Sequence, residues 1–398
     1  MRKLSAHYVL TDDGRFVKYG ILSLDDKGTV IDVRDPKGEM NEEEGLEFYG
    51  GILVPGFINA HCHLELSDLK GVLPQNKELS GFLDALFDVQ STSSQHISTL
   101  AERVDRSMYL QGIVAVGDTC NTTETISIKN KSLIRYLNFA EAFGIHPARA
   151  DKSLMQAQSV CTAFFDGNQP CNLTPHSAYA VSDELFRKLI DSPADLQRRY
   201  SIHHLESKEE NEFLLYRKGR LSDHYSSKLG IRLNELPFNP ESATSRILRY
   251  IPESNPLLLV HNTVLEDADL DLIKESRLTT NTFFVVCPSS NQYITGLTPD
   301  YKKLKDSGFP ICIGTDSLAS NNKLSILAEI RQIQDAEPSI LLEDLFMWAT
   351  KNGAAALGMD EHLGSFTPGK VSGVNLITNI NFREMKLTSA SVVQPMHV

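Results

Sequence analysis

Residues 52–65 read Ile52-Leu53-Val54-Pro55-Gly56-Phe57-Ile58-Asn59-Ala60-His61-Cys62-His63-Leu64-Glu65. An apolar run is broken by Pro-Gly, resumes as FINA and ends in His-Cys-His. Side chains two apart on a strand point the same way, so His61 and His63 share one side and Cys62 takes the other. Imidazole is the commonest ligand for zinc and related ions, and such a pair offers two to one ion. Two structural histidines would satisfy the same pattern, so the pair needs company before it means a metal.

That company lies downstream. Short apolar or β-branched runs recur along the chain: GIVAVGDT, LNFAEAF, CNLTPH, YSIHHLE, PLLLVHN, TFFVVCP and FPICIGTD. Amphipathic helical patterns such as SDELFRKLIDS, LSILAEIRQIQDA and LLEDLFMWATKNGAAAL lie between or after them. With ILVPGFINA these make eight strands alternating with helices, the order of a (β/α)₈ barrel. An open doubly wound sheet is the alternative, but no glycine-rich phosphate turn follows the first strand. The stretch before GIVAVGDT is unusually long and includes LSGFLDALFDVQ, expected as a helix over the barrel mouth. The first fifty residues and the end of the chain are β-like (LSAHYVL, FVKYGILSL, TVIDVR and, after a Pro-Gly turn, VSGVNLIT). The expected organisation is α/β: residues 52–362 form the barrel, while 1–51 and 363–398 form a small composite β-sandwich domain.

Barrel strands deliver their carboxyl ends to one rim. His203, His261 and Asp316 each end a predicted strand, so they should meet His61 and His63 there. Three imidazoles and a carboxylate suit a catalytic divalent ion with an open position. The expected ligands are His61, His63, His203 and Asp316. Zinc is the expected metal, with Fe(II) or Mn as substitutes, since such donor sets accept all three.

GILVPGFINAHCHLELS, IHHLES, LVHNT and GTDSLASNN resemble the first-, fifth-, sixth- and eighth-strand signatures of the amidohydrolase superfamily, and PGKVSGVNLIT resembles its closing segment. The resemblance spans nearly the whole chain and implies a hydrolase of C–N bonds, of the mononuclear deaminase and chlorohydrolase branch. The strand-four end, Thr174-Pro175-His176-Ser177, carries no lysine to bridge two metals. The family's Glu three residues beyond the ligand selects His203 with Glu206 and leaves His204 packed outside, provided the chain departs from strand geometry near Leu205. The implied chemistry has Asp316 accept a proton from water, His261 orient that water or stabilise charge, and Glu206 protonate the substrate ring and then the leaving group.

NAHCHLELS, TPHSAY and GVNLIT are most similar to aminodeoxyfutalosine deaminases and relatives that deaminate other adenosine derivatives. The implied activity is release of ammonia from an aminopurine nucleoside derivative, 6-amino-6-deoxyfutalosine among them. Expected substrate contacts are Glu65, at the sugar hydroxyls, with His176, Tyr179, Ser290 and Asn291. Ser177-Ala178 replaces the family's frequent Ala-Pro. This leaves open hydrolysis of another heteroaromatic C–N or C–Cl bond on a guanine-, triazine- or pyrimidine-like ring, or a catalytically silent barrel that only binds.

Composition narrows the partners. The 398-residue chain carries a net charge of −12, which disfavours a nucleic-acid surface and anionic lipid and leaves a small molecule as the expected partner. A homodimer is compatible with the helical exterior. The six cysteines form no CxxC pair, the first residues lack an apolar signal region, and no long apolar span occurs; a cytoplasmic, reduced setting is expected.

Overall fold

The computed structural model describes residues 1–40, 43–92, 98–192 and 198–396. Eight parallel strands form the barrel: β1 (Phe57–Cys62), β2 (Ile113–Cys120), β3 (Arg135–Ala142), β4 (Cys171–Pro175), β5 (Tyr200–His204), β6 (Leu257–His261), β7 (Thr282–Val286) and β8 (Ile311–Ile313). Most residues of these strands are buried, as a sheet covered on one side by helices and filled on the other requires. Hydrogen bonding links β1 to β4 in one arc and β5 to β8 in a second. Two parallel bridges close the ring, Ser177 to His203 and Cys62 to Asp316. At the first seam His203 N donates to the His176 carbonyl (2.9 Å); at the second, Thr315 N and Asp316 N both donate to the His61 carbonyl (3.0 and 3.1 Å). Gly314 permits the second seam, because a Cβ there would lie 2.9 Å from His61 Cβ and 3.0 Å from Cys287 Sγ.

The sandwich expected from the termini is one continuous seven-stranded sheet. Strands Lys386–Pro395, Val374–Asn381, Leu46–Pro55, Arg2–Leu10, Ile21–Leu24 and Val30–Arg34 follow one another across it, and Phe16–Lys18 pairs with Arg2–Leu10. Leu4, Val9, Leu22, Leu53, Phe366 and Leu376 form its own apolar cluster. Leu46–Pro55 belongs to this sheet, so Gly56 is the junction with β1; a Cβ at Gly56 would sit 2.4 Å from Val114 and 2.7 Å from the Ser372 carbonyl oxygen.

The helix expected over the mouth spans Glu78–Thr92. Phe82 packs with Leu69, Leu73, Tyr293 and Ile294 in a small cluster above β7 and β8. Ser80 caps onto Glu209 through its N–H and hydroxyl (2.7 and 2.9 Å), and His224 Nδ1 lies 2.7 Å from Asp84. Among the described residues no helix is long and apolar enough to cross a membrane. All six cysteines are free and buried.

Beneath the rim, Lys129 Nζ meets Asp118 Oδ2 at 2.5 Å, with both side chains essentially shielded from solvent. Lys129 also donates to Asn138 Oδ1 (2.6 Å), and Asp118 Oδ1 accepts from Leu64 N (2.8 Å), one residue past His63. Removing one partner of a buried pair strands the other charge. Lys129→Met is expected to destabilise the fold by about 3–5 kcal/mol in urea unfolding, and adding Asp118→Asn should recover part of that loss.

Candidate metal and active site

His61 and His63 leave β1 on the same side and His203 arrives from the end of β5. His63 Nε2 stands 3.1 Å from His61 Nε2 and 3.3 Å from His203 Nε2. Asp316 Oδ1 lies 3.7 Å from His63 Nε2. Donor atoms of His61, His63 and Asp316 fall within 4.8 Å of one another, as do those of His61, His203 and His261.

Hydrogen bonds alone do not account for this cluster. Nε2 of a neutral His63 carries at most one proton and can serve only one of its two nitrogen neighbours. Two nitrogens each about 2.05 Å from a tetrahedral ion lie about 3.3 Å apart, close to the spacings found. The protonation chemistry agrees. Burial pushes His203 down to about 3 and holds His61 and His261 below the usual imidazole range, so these rings are neutral. Burial opposes charge on His63 too, but Asp316 and Glu141 outweigh it and raise its proton affinity, the response of a pocket built around positive charge. The residues therefore fit one divalent ion, with His61, His63, His203 and Asp316 as its candidate ligands.

Supporting contacts orient His203, Asp316 and His261. His203 Nδ1 donates to the His176 carbonyl (3.0 Å), which leaves Nε2 with its lone pair toward the cluster. Glu141 Oε1 flanks the same Nδ1 at 3.4 Å, and Asn121 Nδ2 holds the other oxygen at 2.9 Å. Asp316 Oδ2 accepts from Ser290 (2.6 Å) and Ser320 (3.0 Å), while Oδ1 accepts from Ser317 N (2.6 Å). Burial alone would raise the Asp316 carboxyl; His63, His261 and the Ser290 hydrogen bond overturn this and keep it ionised. Asn291 Oδ1 accepts from His261 Nδ1 (2.8 Å), which turns the unpartnered His261 Nε2 lone pair into the site.

Glu206 reaches the site through a bend. Leu205 adopts φ +48°, and His261, Asn262 and Asp316 are also left-handed at φ +79°, +56° and +54°. Such backbone costs of order 1 kcal/mol or more per residue and persists only where the surroundings enforce it. Glu210 does the enforcing here: its carboxyl oxygens accept from Leu205 N (3.2 Å), Glu206 N (2.6 Å) and Ser207 N (3.3 Å). Glu206 Oε1 then stands 3.8 Å from His261 Nε2. Burial, reinforced by the Asp316 charge, pushes Glu206 up to about 8, so it carries a proton at neutral pH. His204 points away into the helical layer, where Nδ1 meets Asn262 Oδ1 and Nε2 meets Thr244 Oγ1, both at 2.9 Å.

The residues expected at the substrate divide into two groups. His176 stacks on His203 with centroids 4.5 Å apart, and Tyr179 lies edge-on to His176 at 6.1 Å. Ser290 and Asn291 have Asp316 and His261 as their side-chain partners. Glu65, expected at sugar hydroxyls, accepts from Asn121 N (3.0 and 3.1 Å) and from Thr122 N and Oγ1 (both 3.0 Å). Its carboxylate thereby ties the residues after β1 to those after β2. Sequence reasoning overlooked Glu141, Asn121, Ser320 and Glu210. Glu141 lies in LNFAEAF near the end of a predicted strand, and Ser207-x-x-Glu210 is a capping box, so both were accessible signals.

A closed parallel barrel with a polyhistidine and aspartate centre on its carboxyl rim defines a metal-dependent hydrolase. The chain belongs to the amidohydrolase family, which it matches over residues 52–386, and is a hydrolase acting on carbon–nitrogen bonds. It is 26% identical to an adenosine deaminase of Helicobacter pylori over 318 residues, 79% of this chain and 76% of that protein. It is 26% identical to an aminodeoxyfutalosine deaminase of Nitratiruptor sp. over 340 residues, 82% of this chain and 78% of the other. Its fold matches the crystal structure of Helicobacter pylori aminofutalosine deaminase in complex with methylthio-coformycin, with TM-score 0.81 and 21% identity, covering 97% of this chain and 94% of that one.

Proposed function

We propose that the chain is a hydrolytic deaminase of adenosine-like nucleosides, with 6-amino-6-deoxyfutalosine among its candidate substrates and zinc as its ion. One observation carries this reading: buried Glu206 lies 3.8 Å from His261 Nε2 in the same cluster as Asp316, with burial favouring the protonated form of Glu206 and His63 and Ser290 favouring the ionised form of Asp316. An acid and a base on either side of one reacting carbon are what hydrolysis of an amino-substituted ring needs. The relatedness to deaminases of adenosine and of aminodeoxyfutalosine supports the substrate class.

When bound, the ion acts as a Lewis acid and brings the acidity of water close to neutral pH. Asp316, fixed by Ser290, Ser320 and Ser317 N, takes a proton from the attacking water. The free lone pair of His261 Nε2 accepts a hydrogen bond from that water and orients it. Glu206 gives its proton to the ring nitrogen beside the amino-bearing carbon as the carbon–oxygen bond forms. The proton held by Asp316 then passes to the amino group, the carbon–nitrogen bond breaks and ammonia leaves, while the hydroxyl of the intermediate returns a proton to Glu206. Net, one water and one aminopurine give one oxopurine and one ammonia. His176 and Tyr179 line the substrate side of the histidine cluster. Glu65, Ser290 and Asn291 act through the groups they hold.

Ammonia release is the decisive assay, run on metal-analysed protein with adenosine, 5′-deoxyadenosine, 5′-methylthioadenosine, aminodeoxyfutalosine and guanine. Turnover of the 6-aminopurine nucleosides in preference to guanine is expected. Protein carrying about one metal per chain that releases ammonia from none of the nucleosides refutes the proposal.

A further inference from the structure

Phe143 directly follows the last residue of β3 and keeps 49% of its surface exposed. Isolated exposed apolar side chains are ordinary, but the neighbours of this one are not. Its ring lies 6.3 Å from His176 in an edge contact (70°), and His176 stacks 4.5 Å from His203 at 23°. Three rings thus lead from the histidine cluster outward to solvent. The backbone beneath Phe143 is fixed: Gly144 N donates to the Ala180 carbonyl (2.7 Å), Ser182 N donates to the Gly144 carbonyl (3.0 Å), and Gly144 bridges Val181. Gly144 itself has φ +147°, and a Cβ there would lie 2.8 Å from Ser153 Oγ. The benzyl group is therefore held on a braced rim, with its apolar surface available to a ligand whose reacting end sits at the histidines.

We propose that Phe143 is a specificity-determining residue that packs against an apolar substituent on the 5′ carbon of the nucleoside. This rests on the deaminase reading above. With the amino-bearing carbon at the metal cluster, the base lies beside His176 and the sugar extends toward the mouth, so its 5′ end is the part that reaches Phe143. An aliphatic thioether or aryl group there would remove water from the exposed ring, whereas a 5′ hydroxyl would gain nothing from it. Such a contact is made equally in the ground and transition states, so its loss should appear in KM rather than kcat.

The test is steady-state ammonia release by wild type, Phe143→Ala and Phe143→Leu with adenosine and with 5′-methylthioadenosine. Competitive inhibition by coformycin and methylthio-coformycin provides a reading independent of turnover. Phe143→Ala is expected to raise KM for methylthioadenosine and the inhibition constant of methylthio-coformycin about tenfold. Its kcat and its handling of the two 5′-hydroxy compounds should stay within about twofold, and Phe143→Leu should restore most of the loss. Equal loss for both members of each pair, or loss confined to kcat, overturns the assignment while leaving the deaminase reading in place. Wild-type protein inactive on every nucleoside of the panel above overturns the deaminase reading and the assignment with it; where only other members of that panel turn over, the inhibitor pair decides the assignment.

Discussion

Glu206→Gln is expected to lower kcat by about 10²–10⁴-fold, the contribution of one well-placed general acid, while the metal content of the purified protein stays unchanged. The substitution is nearly isosteric, and Glu210 continues to hold the Leu205 bend because it binds backbone N–H groups rather than the Glu206 carboxylate. The effect therefore isolates the proton. The same group sets the alkaline side of the pH profile. Glu206 works as the protonated form, so the rate is full below its pKa and falls as pH rises through it. Burial and Asp316 bring that point up to about 8, and a bound cation, which favours the carboxylate, moves it downward. The glutamine variant should lose this alkaline limb from its residual activity. A variant that keeps both its rate and its pH profile would remove Glu206 from the mechanism.

The second large effect separates two adjacent histidines. His203→Ala should reduce bound metal from about one per chain to near zero and abolish turnover, because the ion loses a donor and His176 its stacking partner. His204→Ala should keep the metal and much of the activity. It removes two buried side-chain hydrogen bonds, to Asn262 and Thr244, and should cost about 1–3 kcal/mol in thermal or urea unfolding. Elemental analysis of the two variants side by side decides the matter; metal loss in the His204 variant alone would reverse their roles.

The two predictions also mark what could be read from sequence. The barrel was legible because runs such as PLLLVHN and FPICIGTD are apolar over most of their length and end in polar groups, the pattern of strands covered on both sides. Choosing His203 over His204 depended on the family's Glu at the third following position together with a break in strand geometry, and the left-handed Leu205 supplies that break. Other features were hidden because their partners are distant in the chain. Lys129 reads as a surface charge in a short helix until the fold brings Asp118 against it. Glu65 reads as a free carboxylate until the amides of Asn121 and Thr122 arrive. The terminal sheet was visible as two β-rich ends. That Leu46–Pro55 lies centrally in it, pairing with both Arg2–Leu10 and Val374–Asn381, follows from register and not from composition.

The two arcs of the barrel are joined at Ser177–His203 and Cys62–Asp316, and both joints lie within a residue of a proposed ligand. An ion gripping His61, His63, His203 and Asp316 is thereby a clasp on the whole hoop, drawing the N-terminal and C-terminal quartets of strands together. Mass action then makes cation concentration a component of folding stability, since each occupied clasp opposes opening of the ring. Selection on how tightly this chain holds its metal cannot be separated from selection on how firmly its two halves stay shut.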